Sequence, residues 1–200
     1  MLNPIFIIIG INIAIFLFIN IVRLISGIDA SYIIVGNLAA WSPLELFLQR
    51  PWGLITSMFT HYSFTHLLFN MLTLYFFGSY LLKMLGTKKF LIIYLGGGLL
   101  GGVFFVLIST LMNPSIGISA IGASGAIFAL GGTLAVLTPR VKVYIMFIPI
   151  PVPLWIAVIG GGLIMSFMPN VAWEAHLGGL LFGLAAGFII KNRRKQTYYY

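Results

Sequence analysis

Six apolar runs divide the chain: Pro4–Ser26, Thr65–Leu82, Phe90–Leu111, Ala123–Leu137, Pro153–Met168 and His176–Ile190. Apolar runs of this length with almost no charge read as membrane-spanning helices. The first and third suit a full hydrocarbon core of ~30 Å. The fourth, fifth and sixth are short, at about 15 residues or ~22 Å of helix each. The polar positions between the runs are uneven. Lys83, Lys88 and Lys89 follow the second run, Arg140 and Lys142 the fourth, and Lys191, Arg193, Arg194 and Lys195 the sixth. Only Arg23 and Arg50 lie elsewhere, so nine of the 11 basic residues fall on one side. An excess of Lys and Arg marks the cytoplasmic side. The predicted topology is therefore a six-helix, all-α polytopic membrane protein with both termini cytoplasmic.

The connections on the other side carry few basic residues. Residues 29–63 form a long loop rich in aromatic and apolar side chains. Within it, "SPLE" from Ser42 to Glu45 has the pattern of a capping box, with Ser42 as the cap and proline at the first helical position. Leu44, Phe47 and Leu48 then share one apolar face, which predicts a short helix in the membrane interface. "GISAIG" before Ser124 reads as a small-residue loop. Trp173 stands where an interfacial anchor belongs. No repeat, linker or second domain is visible, so residues 1–200 are expected to form one membrane domain.

Composition strengthens this picture. Of the 200 residues, 60% are hydrophobic and only 7% charged, against about a quarter charged in a soluble domain. Mean hydropathy is +1.10. The net charge of +8 is not a nucleic-acid signal, because the basic residues sit between apolar runs rather than in a patch. The chain has no cysteine, hence no disulfide and no Cys-ligated metal. The N-terminus lacks the basic region and small-residue cleavage site of a signal peptide, so the first run is expected to remain as a span.

The second, fourth and sixth runs all point from the sparse side to the basic side. Ser124 lies 16 residues before Arg140, His176 15 before Lys191, and His66 and Asn70 lie 17 and 13 before Lys83. At 1.5 Å per residue, these four polar residues share a layer roughly 20–25 Å above the basic anchors. A helix starting at Ala123 inside the membrane leaves its first N–H groups without partners. Such a start is tolerated only against protein or a water-filled cavity. A wet pocket with Ser124 at its floor is therefore expected.

Ser124 by itself has a bland reading. Gly122, Ala123, Gly125 and Ala126 are residues of close helix packing, and serine is common among them. The motif is also not the nucleophile elbow, which needs a sheet that this chain lacks. A histidine within a span is a functional candidate by default. Gly179 and Gly183 share the face of His176, and Phe128 and Gly131 share the face of Ser124. If these faces meet, the packing glycines bring hydroxyl and imidazole together, and the two readings of Ser124 merge. His66 and Asn70 project together at i and i+4, either as a polar clamp between helices or as donors to a developing oxyanion. His61, just before that helix, reads as an interfacial histidine at least as readily as a functional one. Asp29 is the only aspartate, Glu45 and Glu174 fall in outer loops, and no HExxH occurs. Paired-aspartate and zinc-hydrolase chemistries therefore lack their residues, and no metal or cofactor is expected. A serine–histidine pair is the arrangement that the inventory supports.

At these residues the sequence resembles the rhomboid family of intramembrane serine proteases. "HYSFTHLLFN" (His61 to Asn70), "GASGAIFAL" (Gly122 to Leu130) and "AHLGGLLFG" (Ala175 to Gly183) match three core motifs in order and spacing. The resemblance implies a six-helix bundle with a cavity open to the extracytoplasmic side. It implies Ser124 as nucleophile, His176 as general base, and His66, Asn70 and the Ser124 N–H as oxyanion donors. It also implies the helix Pro153–Met168 as a lateral gate, whose run Gly160, Gly161 and Gly162 weakens it or serves as a packing notch. The implied partners are the lipid bilayer and single-pass transmembrane substrates, with a bacterial-type plasma membrane as the location. Two positions depart from the family pattern: Trp52-Gly53 stands where many members carry Trp-Arg, and Phe128 where many bacterial members carry tyrosine. A second class of reading is a catalytically silent rhomboid-like protein that binds membrane helices as a chaperone or adaptor. Such relatives usually lack the serine or the histidine, and this chain has both.

Overall fold

The computed structural model describes residues 3–144, 150–166, 168–169 and 171–197. The predicted tail 198–200, residue 167 near the end of the fifth run and part of the loop before it lie outside the described residues. The long helices are α1 (Pro4–Leu38), α4 (Phe64–Leu85), α5 (Thr87–Met112), α6 (Ser124–Leu137), α7 (Leu154–Ser166) and α8 (Trp173–Thr197). Between α1 and α4 lie β1 (Ala40–Ser42), α2 (Leu44–Gln49), α3 (Gly53–Thr56) and a 3-10 turn (Ser57–Phe59). The remaining strands are β2 (Ile118–Ala120), β3 (Lys142–Val143) and β4 (Val152–Pro153). Among the described residues, α1, α4, α5 and α8 are long and apolar enough to cross a membrane. Helix α6 is shorter: 14 residues, or about 21 Å.

Helix α6 is the axis of the bundle. Between Gly125 and Val136 only Phe128 is not fully buried, so a helix too short to meet both faces of a membrane is sheathed in protein. Its neighbours pack in a regular sense. Gly179 of α8 lies against Gly125, Gly183 against Ala129, and Gly187 against Thr133. Residue numbers rise together on both sides of this seam, so α6 and α8 run parallel. The pairs His66–Gly122 and Phe77–Gly131 make α4 parallel to α6 as well. Helix α5 runs the other way: Gly101 faces Ala175 and Gly96 faces Phe182. Three helix N-termini thus gather at one end of the bundle. The outer flanks are apolar and open, with Leu24 at 86% and Leu111 at 82% exposure, as a lipid-facing surface requires.

Several sequence expectations change. The first helix does not end at Ser26. It is broken at Gly27, whose φ of 88° interrupts the helical path, and then continues to Leu38, so much of the expected loop is helical. The capping box does not form. Ser42 closes β1 and its hydroxyl lies 3.4 Å from that of Thr110. Pro43 occupies the cap with no side-chain bond, although the short helix itself is present. The loop "GISAIG" contains β2, which pairs antiparallel with β1 in the register Ala40↔Ala120 to Ser42↔Ile118. That ladder ties the loop before Ser124 to the segment after α1. Pro153 belongs to β4, not to the fifth helix, which begins at Leu154. The sixth helix is not short: it starts at Trp173, three residues early, and runs through the basic tail to Thr197. Glu174 accordingly lies in its first turn rather than in a loop.

Candidate active site

The site is assembled where α4, α6 and α8 begin. Helix α6 starts without a side-chain cap, at Ala123. Gly122 precedes it with φ of 122°, a backbone conformation that L side chains rarely adopt. A Cβ there would also lie 2.7 Å from the His66 ring, so glycine is needed twice over. The turn is held by its neighbours: the Gly122 N–H donates to Ser57 O at 2.8 Å, and the Ala123 N–H to His61 Nε2 at 3.5 Å. The first intrahelical bond is from Ile127 N–H to Ala123 O, 3.0 Å. The N–H groups of Ser124, Gly125 and Ala126 precede it, as at any helix start. They give this end of α6 free donors and the positive end of its dipole.

Ser124 is the first residue of α6, and its Oγ lies 2.8 Å from Nε2 of His176. The seam beneath fixes this approach. A Cβ on Gly179 would overlap the Gly125 carbonyl, and one on Gly183 the Ala129 carbonyl. Thr133 Oγ1 donates across the same seam to Gly183 O at 2.9 Å. The Phe128 ring stacks on the imidazole, with centroids 4.5 Å apart and planes 29° apart. His176 is buried and no group among the described residues partners its Nδ1, so packing rather than an acid orients the ring. Gly162 of α7 makes room for Phe128: a Cβ there would lie 2.9 Å from the phenyl ring. Among the described residues, Gly161 has nothing within 4 Å and Gly160 only its own helix neighbour Ile156. Of the three glycines, Gly162 is the one that makes a close contact with the described residues of the site.

His66 and Asn70 lie on the α4 side. Ser63 caps α4 by accepting from the His66 N–H, 3.2 Å. The His66 ring stands beside Gly122, over the turn into Ser124. Asn70 Nδ2 donates to His66 O at 2.9 Å, which commits one of its two N–H bonds and leaves the other.

Two features were not legible from sequence. His61 is not an interfacial side chain; it is 1% exposed and packs edge-on against His66, centroids 4.8 Å apart. Burial, with His66 adding to it, pushes its pKa down to about 3. Ser109 of α5 donates to the buried Glu174 carboxylate at 3.0 Å, which pins the first turn of α8 next to His176. No spacing in the sequence links residues 65 positions apart. Trp52 Nε1 donates to Asn37 O at 2.8 Å, while a Cβ on Gly53 would overlap the Ala39 carbonyl. The Trp52-Gly53 departure thus admits a close backbone approach that no arginine could occupy. Arg50 lies 5.9 Å over the Trp41 ring.

These features define an all-α integral membrane bundle with a hydroxyl–imidazole pair at the convergence of three helix N-termini. The chain belongs to the rhomboid family, whose domain matches residues 48–193. Rhomboid protein 1, mitochondrial, of Saccharomyces cerevisiae is 30% identical, over 86% of this chain and 54% of the yeast protein. The rhomboid protease GlpG of Salmonella choleraesuis is 32% identical, over 79% of this chain and 55% of its own length. The rhomboid protease GluP of Bacillus subtilis is 34% identical, over 68% of this chain and 25% of its own length. The chain thus spans about half or less of these relatives, two of which are named as proteases.

Proposed function

We propose that the chain is an intramembrane serine endopeptidase that cleaves transmembrane segments of single-pass proteins near the extracytoplasmic face. The observation that carries this reading is the 2.8 Å approach of Ser124 Oγ to His176 Nε2 at the uncapped start of α6. His176 takes the hydroxyl proton as the serine oxygen attacks a substrate carbonyl, and later returns it to the leaving amine. The Ser124 N–H, His66 and the second N–H of Asn70 stabilise the oxyanion; each such donor is typically worth ~10²–10³ in rate. Water then hydrolyses the acyl-enzyme. Without an acid on Nδ1 the base is weaker than in a triad, so turnover is slow. A substrate must expose a scissile carbonyl, which a continuous helix hides in its own hydrogen bonds. Segments carrying glycine or proline near the outer face are favoured. We place the basic helix ends and both termini in the cytoplasm of a bacterial-type cell, with six spans. The test is cleavage of a transmembrane substrate in proteoliposomes, together with covalent labelling of Ser124 by a fluorophosphonate. An intact, unlabelled protein without cleavage activity would favour the silent helix-binding reading.

Two smaller effects follow. Phe128→Ala removes a ring stack worth ~0.5–1.5 kcal/mol, and the freed imidazole should lower both cleavage and labelling by roughly 2- to 10-fold. Phe128→Tyr, which keeps the ring, should retain both. For α7 as the gate, Gly160→Ala and Gly161→Ala are informative because, among the described residues, a Cβ at Gly161 meets nothing within 4 Å and one at Gly160 only reaches Ile156 at 3.9 Å. Each should stiffen α7 by up to ~1 kcal/mol. The double variant should cleave a transmembrane substrate several-fold more slowly while labelling by a small fluorophosphonate is unchanged. Equal slowing of both would remove α7 as a substrate gate.

A further inference from the structure

Helix α7 packs on α6, where Val158 meets Gly131 and Gly162 meets Phe128. The two pairs run in opposite senses, so α7 is antiparallel to α6 and its first turn lies at the basic end of the bundle. There α6, α7 and α8 do not close on one another. A groove of about 390 Å³ remains between them, open on its outer side and within the roughly 300–1,000 Å³ of ordinary ligand sites. Its walls are Val136 of α6, Trp155 and Ile159 of α7, and Leu184, Phe188 and Lys191 of α8. The three α8 residues stand at i, i+4 and i+7, and the two α7 residues at i and i+4, so each set shares one helix face.

Among the described residues that line the groove, Lys191 is the single charged one. It is exposed and stands where the apolar run of α8 ends. Two more cations lie at the same end. Arg140 is exposed just beyond the last turn of α6, and Lys142 pairs with Pro153 immediately before α7. The acidic residues are elsewhere: Glu174 opens α8 at its other end, Glu45 belongs to α2, and Asp29 to the part of α1 beyond Gly27. An apolar groove that ends in unneutralised positive charge complements a molecule with an apolar chain and an anionic head. Basic pockets between membrane helices hold anionic lipid headgroups in this way. Another transmembrane helix fits less well, because its own end at this face would carry Lys and Arg by the same charge rule.

We propose that the groove between α6, α7 and α8 binds one anionic phospholipid of the adjoining leaflet. Its acyl chain lies along Val136, Ile159 and Phe188, and its phosphate is held by Lys191. Arg140 and Lys142 add attraction from the flanks. The bound chain fills the gap between α7 and α8 and supports the first turns of α7. The site is at the opposite end of the bundle from Ser124, so its occupancy is read without any cleavage assay.

The test places the full chain in phosphatidylcholine vesicles and titrates in phosphatidylglycerol or phosphatidylcholine with brominated acyl chains, which quench tryptophan on contact. The Trp155 signal is the difference between wild type and Trp155→Phe. Brominated phosphatidylglycerol should reach half-quenching at a several-fold lower mole fraction than brominated phosphatidylcholine. Lys191→Gln should cut this preference about 5-fold, the weight of one cation at a membrane surface. Lys88→Gln removes an exposed cation at the same end of the bundle but on α5, and should leave the preference unchanged. Equal quenching of wild type by the two lipids would overturn the proposal, since the groove would then be solvated by bulk lipid. Equal losses in Lys191→Gln and Lys88→Gln would overturn it in favour of general surface charge. Loss of the preference on adding inorganic phosphate would make this a free-anion site instead. Trp155 quenched by neither lipid would mean that another part of this chain, or another helix, covers the groove. Both substituted lysines are exposed, and the wild-type comparison alone can refute the proposal.

Discussion

Replacing Ser124 by alanine is expected to lower cleavage of a reconstituted transmembrane substrate by at least ~10³-fold, the scale seen when a serine nucleophile is removed. The expectation rests on inventory as much as on geometry. Asp29, Glu45 and Glu174 are the only acidic residues in the chain and cysteine is absent. Among the described residues, the hydroxyl hydrogen-bonded to His176 Nε2 is that of Ser124. Ser124→Ala should leave the fold nearly untouched. The serine is not the α6 cap, and the partner of its hydroxyl is His176, so about 1 kcal/mol is at stake. For a chain of this size that is a melting-point change within about 4 °C. His176→Ala should lose as much activity. Because nucleophile and base act as a unit, the double variant should be no worse than either single one. Substantial cleavage by both single variants would discard the mechanism, and an intact melting transition excludes misfolding as the explanation.

The features that sequence reveals here are those governed by local periodicity and by the membrane. An apolar run is long because a bilayer is thick, and its basic end is marked because charge is costly inside. Counting from those ends already placed His66, Ser124 and His176 in one layer. The glycines at Gly179 and Gly183 marked the face that packs closely. What remained hidden depends on contacts between distant segments. β2 is three residues long and exists because β1 offers its edge; the sequence "GISAIG" alone has no strand period to read. The capping box failed because Ser42 is held in that same ladder, a tertiary demand that overrides a local signal. Glu174 looked like a loop carboxylate until Ser109 came across from α5. His61 reads as interfacial in sequence because its burial comes from packing against His66 and from the approach of Ala123, 62 positions away, which no local pattern marks.

The seam between α6 and α8 carries the second large prediction. Gly179→Ala is expected to reduce kcat by at least ~10²-fold. A methyl group there would occupy the space of the Gly125 carbonyl, and neither backbone can yield without moving its helix. A shift of about 1 Å is enough to take a 2.8 Å hydrogen bond beyond reach, and a misplacement of that size costs on the order of 10² in rate. The added strain should also cost ~1–3 kcal/mol of stability, so activity must be measured below the lowered melting point. Position along the seam separates strain from chemistry. Gly187→Ala meets the Val136 side chain at 2.8 Å and the Thr133 carbonyl at 3.1 Å, but it lies at the far end of the contact. It should lose comparable stability with far less activity, and Gly183→Ala should fall between. Gly10→Ala, where a Cβ meets nothing within 4 Å, should change neither. If activity instead follows melting temperature alone across this series, the glycines hold the bundle together but do not set the serine–histidine distance.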